Sequence, residues 1–271
     1  MDWHLLGILL IVCGALCAVG FYKFVYFLSV GYGLAIAGGG IAILVMYLLA
    51  PSATPLWIVL VQALLFAAYG ARLSGFLLAR EFRSASFRRT DVAKESLAKN
   101  DGKKMPVFVL VSIWLCVAVL YVAQVSPMLF RFRNASVDIA VPLIGFAVSV
   151  AGLALEAAAD RQKGEQKKQR PDMVATQGLY RIVRCPNYLG EITFWTGVFA
   201  AGLTTYRGAG QWIMAAAAYV CIVFIMFNGA QRMEKRQMKQ YGASPEYRAY
   251  ADRTPIILPF VPIYHLNKQE S

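Results

Sequence analysis

The feature that most constrains this chain is a series of seven apolar runs, each long enough to cross a lipid bilayer. A transmembrane helix needs about 17 to 25 mostly apolar residues. In a chain of 271 residues that is 58% hydrophobic and 15% charged, such runs occupy residues 3–22, 25–50, 56–79, 106–126, 137–158, 189–206 and 210–230. The sequence therefore predicts an all-α integral membrane protein with seven transmembrane helices and no separate soluble domain.

The distribution of lysine and arginine predicts how these helices are oriented. With the N-terminus outside, 23 of the 27 basic residues fall in cytosolic segments, Arg72 lies within a span, and only Arg131, Arg133 and Arg207 lie outside. Positive residues collect on the cytosolic side of multi-pass proteins. We therefore expect an outer N-terminus and a cytosolic C-terminus. The basic loop 81–104 is expected to attract anionic lipids and to hold a short interfacial helix, and no nucleic-acid partner is expected.

The cysteines and histidines indicate neither a disulfide framework nor a metal centre. Four cysteines lie within apolar runs, and Cys185 would face the reducing cytosol, where disulfides are rare. The two histidines, His4 and His265, lie at opposite ends of the chain. We therefore expect no metal site.

The third apolar run differs from the first two because it contains polar side chains. Tyr69 and Arg72 are three residues apart, so they share one face of a helix. A charge at mid-bilayer costs about 2.5 to 3.5 kcal/mol on insertion scales, which makes Arg72 a candidate for a protein-lined cavity. The alternative is that Arg72 extends along the helix to the cytosolic interface.

The stretch RCPNYLGE, residues 184–191, combines polar groups with the start of another apolar run. Pro186 favours a helix start, and the exposed N–H groups of that start, with Arg181 and Arg184, would form an anion site. Asn187 and Glu191 are four residues apart and face the same direction. An amide and a carboxylate there suit a carboxamide or a ribose hydroxyl, although a cap and a buried ion pair explain the same residues.

Two further segments carry candidate site residues. Asp160 and Lys167 belong to a polar stripe that continues from Glu156 at the end of the fifth run. This stripe either holds a ligand or pairs carboxylates with neighbouring lysines. The segment after the last run, residues 231–260, is rich in arginine and tyrosine. We expect it either to fold back and close a site or to anchor at the membrane interface.

Three motifs, taken together, resemble a known family. The segments GLYRIVRCPNYLGE, ADRQK and YRAYADRTPIILPF, within residues 60–262, resemble the membrane-embedded steroid 5-alpha-reductase superfamily, most closely its bacterial branch described only as a domain of unknown function. The resemblance implies a seven-helix enzyme in the bacterial inner membrane. Such an enzyme binds NADPH from the cytosol and reduces a carbon–carbon double bond conjugated to a carbonyl in a lipid-like substrate that enters from the bilayer. It also implies a reductase-like domain over residues 56–271 that follows a two-span scaffold over residues 1–55.

The resemblance also implies roles for individual residues. Asp160, Asn187 and Glu191 match positions that hold the cofactor, and Arg248 matches an arginine on its phosphate or adenosine side. Tyr69 resembles the tyrosine proposed to polarise the substrate carbonyl and supply a proton, with the positive charge of Arg72 nearby. The expected catalytic residues are thus Tyr69 and Arg72, and the expected cofactor-binding residues are Asp160, Lys167, Arg181, Arg184, Asn187, Tyr188, Glu191, Arg236, Arg248 and Arg253.

Two departures from the family pattern keep alternatives open. Steroid-acting members carry a glutamine and glutamate pair in an earlier span, and this sequence lacks such a pair. Membrane methyltransferases of the isoprenylcysteine and phospholipid type share the same helix start, but they read Arg-His-Pro where this chain has Arg184, Cys185 and Pro186, and they usually carry paired glutamates where it has Met233 and Glu234. An S-adenosylmethionine-dependent methyltransferase and a non-catalytic membrane protein are therefore the alternatives to the reductase.

Overall fold

A computed structural model describes residues 2–83 and 106–267, and the regular secondary structure of these residues is helical. The α-helices are α1 (Trp3–Cys17), α2 (Val30–Leu49), α3 (Leu56–Arg83), α4 (Val107–Arg133), α5 (Ala140–Gln169), α6 (Pro186–Ala201), α7 (Gly208–Tyr241) and α8 (Pro245–Arg253). Three short 3-10 helices occupy Ala18–Phe21, Phe24–Leu28 and Gly178–Arg181. The interfacial helix expected in the loop 81–104 falls, from residue 84 onward, outside the described residues.

Six of the helical segments are long and apolar enough to cross a membrane: Trp3–Phe21, Val30–Leu49, Leu56–Gly75, Val107–Arg133, Ala140–Gln169 and Gly208–Tyr241. Large apolar side chains on these helices, such as Ile11 (73% exposed), Ile213 and Phe224, point outward, as lipid-facing residues do. The prediction of an all-α multi-pass membrane protein is confirmed at this level.

The sixth predicted run forms the shorter helix α6. It begins at Pro186, as the sequence predicted, and ends at Ala201 after 16 residues. At 1.5 Å per residue this helix is about 24 Å long, compared with a hydrocarbon core of about 30 Å. The predicted start of this helix is therefore confirmed, while its length falls short of a full crossing.

The chain divides into two compact units. Unit 1 comprises Met1–Phe146 and Ala201–Ala218, and unit 2 comprises Ala147–Ala200 and Tyr219–Ser271. The cofactor-binding candidates all belong to unit 2, and the catalytic candidates Tyr69 and Arg72 belong to unit 1.

Within unit 1, α2 and α3 pack so closely that their backbones touch. A Cβ atom added to Gly70 would lie 2.2 Å from the carbonyl oxygen of Gly33, and one added to Gly33 would lie 2.8 Å from the carbonyl oxygen of Gly70. Small residues allow this approach in membrane helices, where dispersion contacts replace the hydrophobic effect as the driving force. The packing orders an aromatic cluster in which Tyr32 stacks on Tyr121 of α4 (4.9 Å between ring centroids) and meets Tyr69 edge-on (5.7 Å).

A second feature of unit 1 is a polar cluster at the C-terminal end of α4, formed by Arg131, Asp138, Thr204 and the carbonyl of Ala201. Arg131 is 1% exposed and donates to the Asp138 carboxylate (3.1 Å), to the Ala201 carbonyl (2.7 Å) and to Thr204 (3.3 Å). Partial burial raises the pKa of Asp138, but hydrogen bonds from Thr204 and Arg131 outweigh that effect and leave the pKa below its usual value. This Arg131 cluster joins the α4–α5 turn to the segment after α6.

Candidate functional site

The framework of the site in unit 2 is the close crossing of α5 and α6. A Cβ atom added to Gly152 would lie 2.3 Å from the backbone nitrogen of Phe194, and one added to Gly190 would lie 2.9 Å from the Gly152 carbonyl oxygen. The two helices run antiparallel, and the side chain of Glu156 lies against Gly190. One helical turn beyond Glu156, Asp160 therefore lies level with the first turn of α6.

Aromatic residues bring the end of α5, the start of α6 and helix α8 together. Tyr180 lies in the 3-10 turn before α6 and donates to the Ala159 carbonyl (3.3 Å), and Tyr250 of α8 donates to the Tyr180 carbonyl (2.6 Å). Burial raises the pKa of Tyr180, and nearby Asp160 and Tyr188 raise it further. Two of the predicted cofactor residues, Asp160 and Tyr188, therefore lie near the same buried phenol.

At the start of α6 lies a buried ion pair. Arg184 is 2% exposed, and its Nη2 atom donates to the Glu234 carboxylate (2.8 Å) and to the Tyr264 carbonyl. Among the described residues, its Nε and Nη1 atoms are buried without a hydrogen-bond partner. The buried Tyr247 hydroxyl likewise has no partner in hydrogen-bonding geometry within residues 2–83 and 106–267. Burial raises the pKa of Tyr247, while the positive charge of Arg184 acts in the opposite direction, so the phenol lies near the guanidinium.

Residues 254–267, here called the tail, fold back onto this ion pair. The backbone N–H groups of Arg184 and Cys185 donate to the carbonyls of Pro255 (2.8 Å) and Ile256 (2.9 Å). Burial raises the pKa of the Cys185 thiol to about 12, which keeps it protonated at neutral pH. The predicted return of the tail is thus observed within unit 2, where it covers the residues just before α6.

The end of the tail surrounds Glu234, which is 2% exposed. The backbone N–H groups of Leu266 (2.9 Å) and Asn267 (3.1 Å) and the side-chain amide of Asn267 (2.7 Å) donate to one carboxylate oxygen. The other oxygen contacts Arg184 and the Nδ1 atom of His265 (3.0 Å), whose Nε2 atom lies 3.0 Å from Asp252. Glu234 therefore links α7, the start of α6 and the tail.

The remaining predicted residues occupy different environments. Asn187 is half-buried in the first turn of α6, and Glu191 is buried and accepts from the indole N–H of Trp195 (3.0 Å). Lys167 donates to the Tyr241 hydroxyl (2.9 Å), and Arg248 donates to the Gly242 carbonyl at the α7–α8 turn. The exposed members of the predicted set are Arg181, Arg236, Arg248 and Arg253. Asp160 and Tyr188 thus lie near Tyr180, and Arg184 lies near Tyr250, which is hydrogen-bonded to the Tyr180 carbonyl. The four exposed arginines lie on the surface of unit 2.

The catalytic candidates are one turn apart on α3. Tyr69 is fully buried beside Tyr32, and Arg72 is half-buried. The hydroxyl of Tyr32 accepts a hydrogen bond from the side-chain amide of Gln124 (3.2 Å). The polar face predicted for the third run is therefore turned into the interior of unit 1 at Tyr69.

Sequence reasoning missed the roles of Tyr247 and His265 and treated Glu234 only as a family marker. Glu234 is separated from Arg184 by 50 residues, and His265 from Glu234 by 31. Helical periodicity predicts only which nearby residues share a face, so it does not indicate contacts between residues this far apart in the sequence. The available signal was one acidic residue just after the last apolar run, since such a charge usually has a partner.

Among residues 2–83 and 106–267, no group of three or more histidine, cysteine, aspartate or glutamate side chains is arranged to hold a metal ion. A family model described as a protein of unknown function, DUF1295, matches residues 34–254. No curated protein and no solved structure matches the chain significantly. The match covers well over half of the sequence and ends just after α8, so the tail contacts to Arg184 and Glu234 lie beyond it.

Proposed function

The chain belongs to the DUF1295 family, and we propose that it is an NADPH-dependent membrane oxidoreductase. Its reaction would be the reduction of a carbon–carbon double bond conjugated to a carbonyl in a lipid-like substrate. The observation that carries this proposal is the buried Arg184 just before α6, two of whose guanidinium nitrogens have no hydrogen-bond partner among the described residues. Buried charged donors without a partner are rare and indicate a ligand or a functional role.

The proposal includes the membrane arrangement expected from the charges. Helix α6, although shorter than the hydrocarbon core, would serve as a seventh crossing where the bilayer thins locally around it. Seven crossings place the N-terminus outside and the C-terminus in the cytosol of a bacterial inner membrane. The start of α6 then opens toward the cytosol, where NADPH is available. Anionic lipids would contact the surrounding basic surface.

The residues present fit a dinucleotide with several phosphates. Arginine binds phosphate best because its planar guanidinium donates two parallel hydrogen bonds. Arg184 with the exposed Arg181, Arg236, Arg248 and Arg253 would hold the phosphates, and Lys167 would add charge. Asn187 and Glu191 would hold the nicotinamide and ribose end. NADPH supplies the hydride, and the protein contributes binding and orientation.

In unit 1, Tyr69 would donate a hydrogen bond to the substrate carbonyl as negative charge develops on its oxygen. A buried phenol suits this role because a donor in a low-dielectric site stabilises charge more strongly than one in water. The half-buried Arg72 on the same face would supply a nearby positive charge. A hydrophobic substrate would reach Tyr69 from the bilayer.

Thermal unfolding of the purified full-length protein in detergent tests the proposal. A ligand that binds only the folded state raises the melting temperature in proportion to its saturation. NADPH is expected to stabilise the protein, and this stabilisation should disappear in Asn187→Ala and Glu191→Ala. The matched control is Thr193→Ala, a half-buried position on the same helix whose hydroxyl bonds only to the Leu189 carbonyl.

Other outcomes would replace the proposal. Stabilisation by S-adenosylmethionine alone would indicate a methyltransferase. A response to neither compound would indicate a non-catalytic membrane protein. Equal loss of NADPH stabilisation in the Thr193 control would show that the effect is general to α6.

A further inference from the structure

The buried ion pair in unit 2 joins Arg184 and Glu234, and the two side chains differ in how many of their hydrogen-bonding groups are used. Glu234 receives hydrogen bonds from Arg184, from two backbone N–H groups and from the Asn267 amide, and His265 adds a further contact. Arg184 carries five N–H donors, yet only its Nη2 atom is used. Nε and Nη1 remain buried and without partners.

A buried charged donor without an acceptor loses its hydration without replacement, and Arg184 leaves two of its three guanidinium nitrogens in this state, compared with only Nε in Arg131. The contacts around Glu234 fix the guanidinium from one side and leave its other donors unused. The Tyr247 hydroxyl lies beside the guanidinium and interacts with it, but makes no hydrogen bond in good geometry to the described residues. Among those residues, Nε and Nη1 of Arg184 therefore have no acceptor in hydrogen-bonding geometry.

We propose that the end of the tail, residues 264–267, completes the cofactor site by clamping Arg184 through Glu234. The clamped guanidinium and the Tyr247 hydroxyl then bind one anionic oxygen group of the cofactor. This inference rests on the proposed function, and it assigns a role to a segment beyond the family match. Glu234, His265 and Asn267 are positioning residues in this arrangement, while Arg184 and Tyr247 contact the ligand.

The chemistry of the contacts defines what the clamp does. The His265 ring lies between two carboxylates, with Nδ1 3.0 Å from Glu234 and Nε2 3.0 Å from Asp252. The Tyr264 carbonyl accepts from Arg184 directly. Together these contacts hold the guanidinium in one orientation, so less conformational entropy is lost when the anion binds.

The test is the binding affinity of the full-length protein in detergent for NADPH and for S-adenosylmethionine, measured by isothermal titration calorimetry. Asn267→Leu and His265→Ala should weaken binding about tenfold, as expected for one loosened charged contact. Asn267→Gln and His265→Gln serve as conservative comparisons because each keeps an N–H donor, and each is expected to retain more affinity than the leucine or alanine variant at the same position. The matched control is Phe260→Ala, since that tail side chain is 97% exposed.

Tyr247→Phe keeps the proposal testable if the tail variants unfold. It removes only a hydroxyl that makes no hydrogen bond in good geometry to the described residues, so the melting temperature without ligand should be unchanged or higher while ligand affinity falls several-fold. A merely structural hydroxyl would give no change in affinity.

The outcomes separate the clamp from the proposed function. If the wild-type protein binds NADPH and the affinity is unchanged in Asn267→Leu, His265→Ala and Tyr247→Phe, the clamp is overturned and the reductase stays in place. Binding of S-adenosylmethionine alone overturns the reductase, and the same variants then test the clamp on that ligand's carboxylate. A wild-type protein that binds neither ligand overturns both.

Discussion

Each unit of this protein buries one arginine against one carboxylate, and the two pairs are built differently. In unit 1, Arg131 contacts Asp138, Thr204 and the Ala201 carbonyl, so both terminal nitrogens are used and Nε alone has no partner among the described residues. In unit 2, Arg184 uses one terminal nitrogen and keeps Nε and Nη1 unused. The partner carboxylates differ in exposure: Asp138 is one-third exposed, whereas Glu234 is deeply buried.

The difference separates a structural pair from a pair with capacity for a ligand. Arg131 distributes its hydrogen bonds over two connecting segments and thereby closes one end of unit 1. Arg184 is held by a carboxylate that is itself held from several directions, and its remaining donors are available. Burial and ion pairing are common to both arginines, so the proposed ligand role of Arg184 depends on its two unpaired nitrogens, compared with one in Arg131.

The largest effect is expected when Glu234 is removed. Glu234→Ala should lower the free energy of unfolding by about 3 to 5 kcal/mol because it leaves the Arg184 charge buried without compensation. Thermal unfolding in detergent measures the loss. The double variant Arg184→Met with Glu234→Leu should recover most of it, and a double variant as unstable as Glu234→Ala would show that the charge is not the cause.

Removing the arginine of the other pair should have a smaller effect on stability and none on binding. Arg131→Met is expected to cost about 2 to 3 kcal/mol, since it leaves the buried Ala201 carbonyl without its donor. The affinity for NADPH, measured on the folded variant, should stay at the wild-type value. A loss of affinity comparable to that of Arg184→Met would erase the distinction between the two pairs.

Two tyrosines of α8 sharpen the comparison within unit 2. Tyr250 donates to the Tyr180 carbonyl, so Tyr250→Phe should cost about 1 kcal/mol. Tyr247→Phe should cost less than this, because its hydroxyl makes no hydrogen bond in good geometry with the part of the chain that the structure describes. Parallel melting curves of the two variants decide the matter, and equal destabilisation would mean that Tyr247 also makes a structural hydrogen bond.

The smallest effect concerns the acid stability of unit 1. The folded-state pKa of Asp138 is lowered from its usual 3.8, so its contribution to stability is present above that value and is lost as the pH falls through the folded-state pKa. Asp138→Asn should therefore flatten the fall in melting temperature between about pH 5 and about pH 3. A variant that keeps the wild-type pH profile would place the acid sensitivity elsewhere.

Elements set by local patterns could be predicted from the sequence, and contacts between distant segments could not. Hydropathy located the apolar helices, and Pro186 marked the start of α6 because proline suits a first turn. Helix α6 was expected to run to residue 206 but ends at Ala201, after which the chain turns to supply Thr204 and Thr205 to polar contacts. Apolar composition alone does not show that these residues leave the helix to make polar contacts.

The candidate site follows the same division. The residues Asp160 and Tyr188 were identified from spacing and from motifs, and they lie near Tyr180. The environment of Arg184 was not predictable, because Glu234 and Tyr264 reach it only through the return of the tail. The cofactor roles of these residues and the catalytic role of Tyr69 remain predictions for the binding experiments.

The close approach of α5 and α6 has a consequence for substitution. With no side chain at Gly152 or Gly190, the two backbones lie against each other over a full turn of α6, from Gly190 to Phe194. A Cβ atom on Gly190 would lie 2.5 Å from the Glu156 side chain and 2.9 Å from its backbone nitrogen. Even an alanine there would therefore push the start of α6 away from α5.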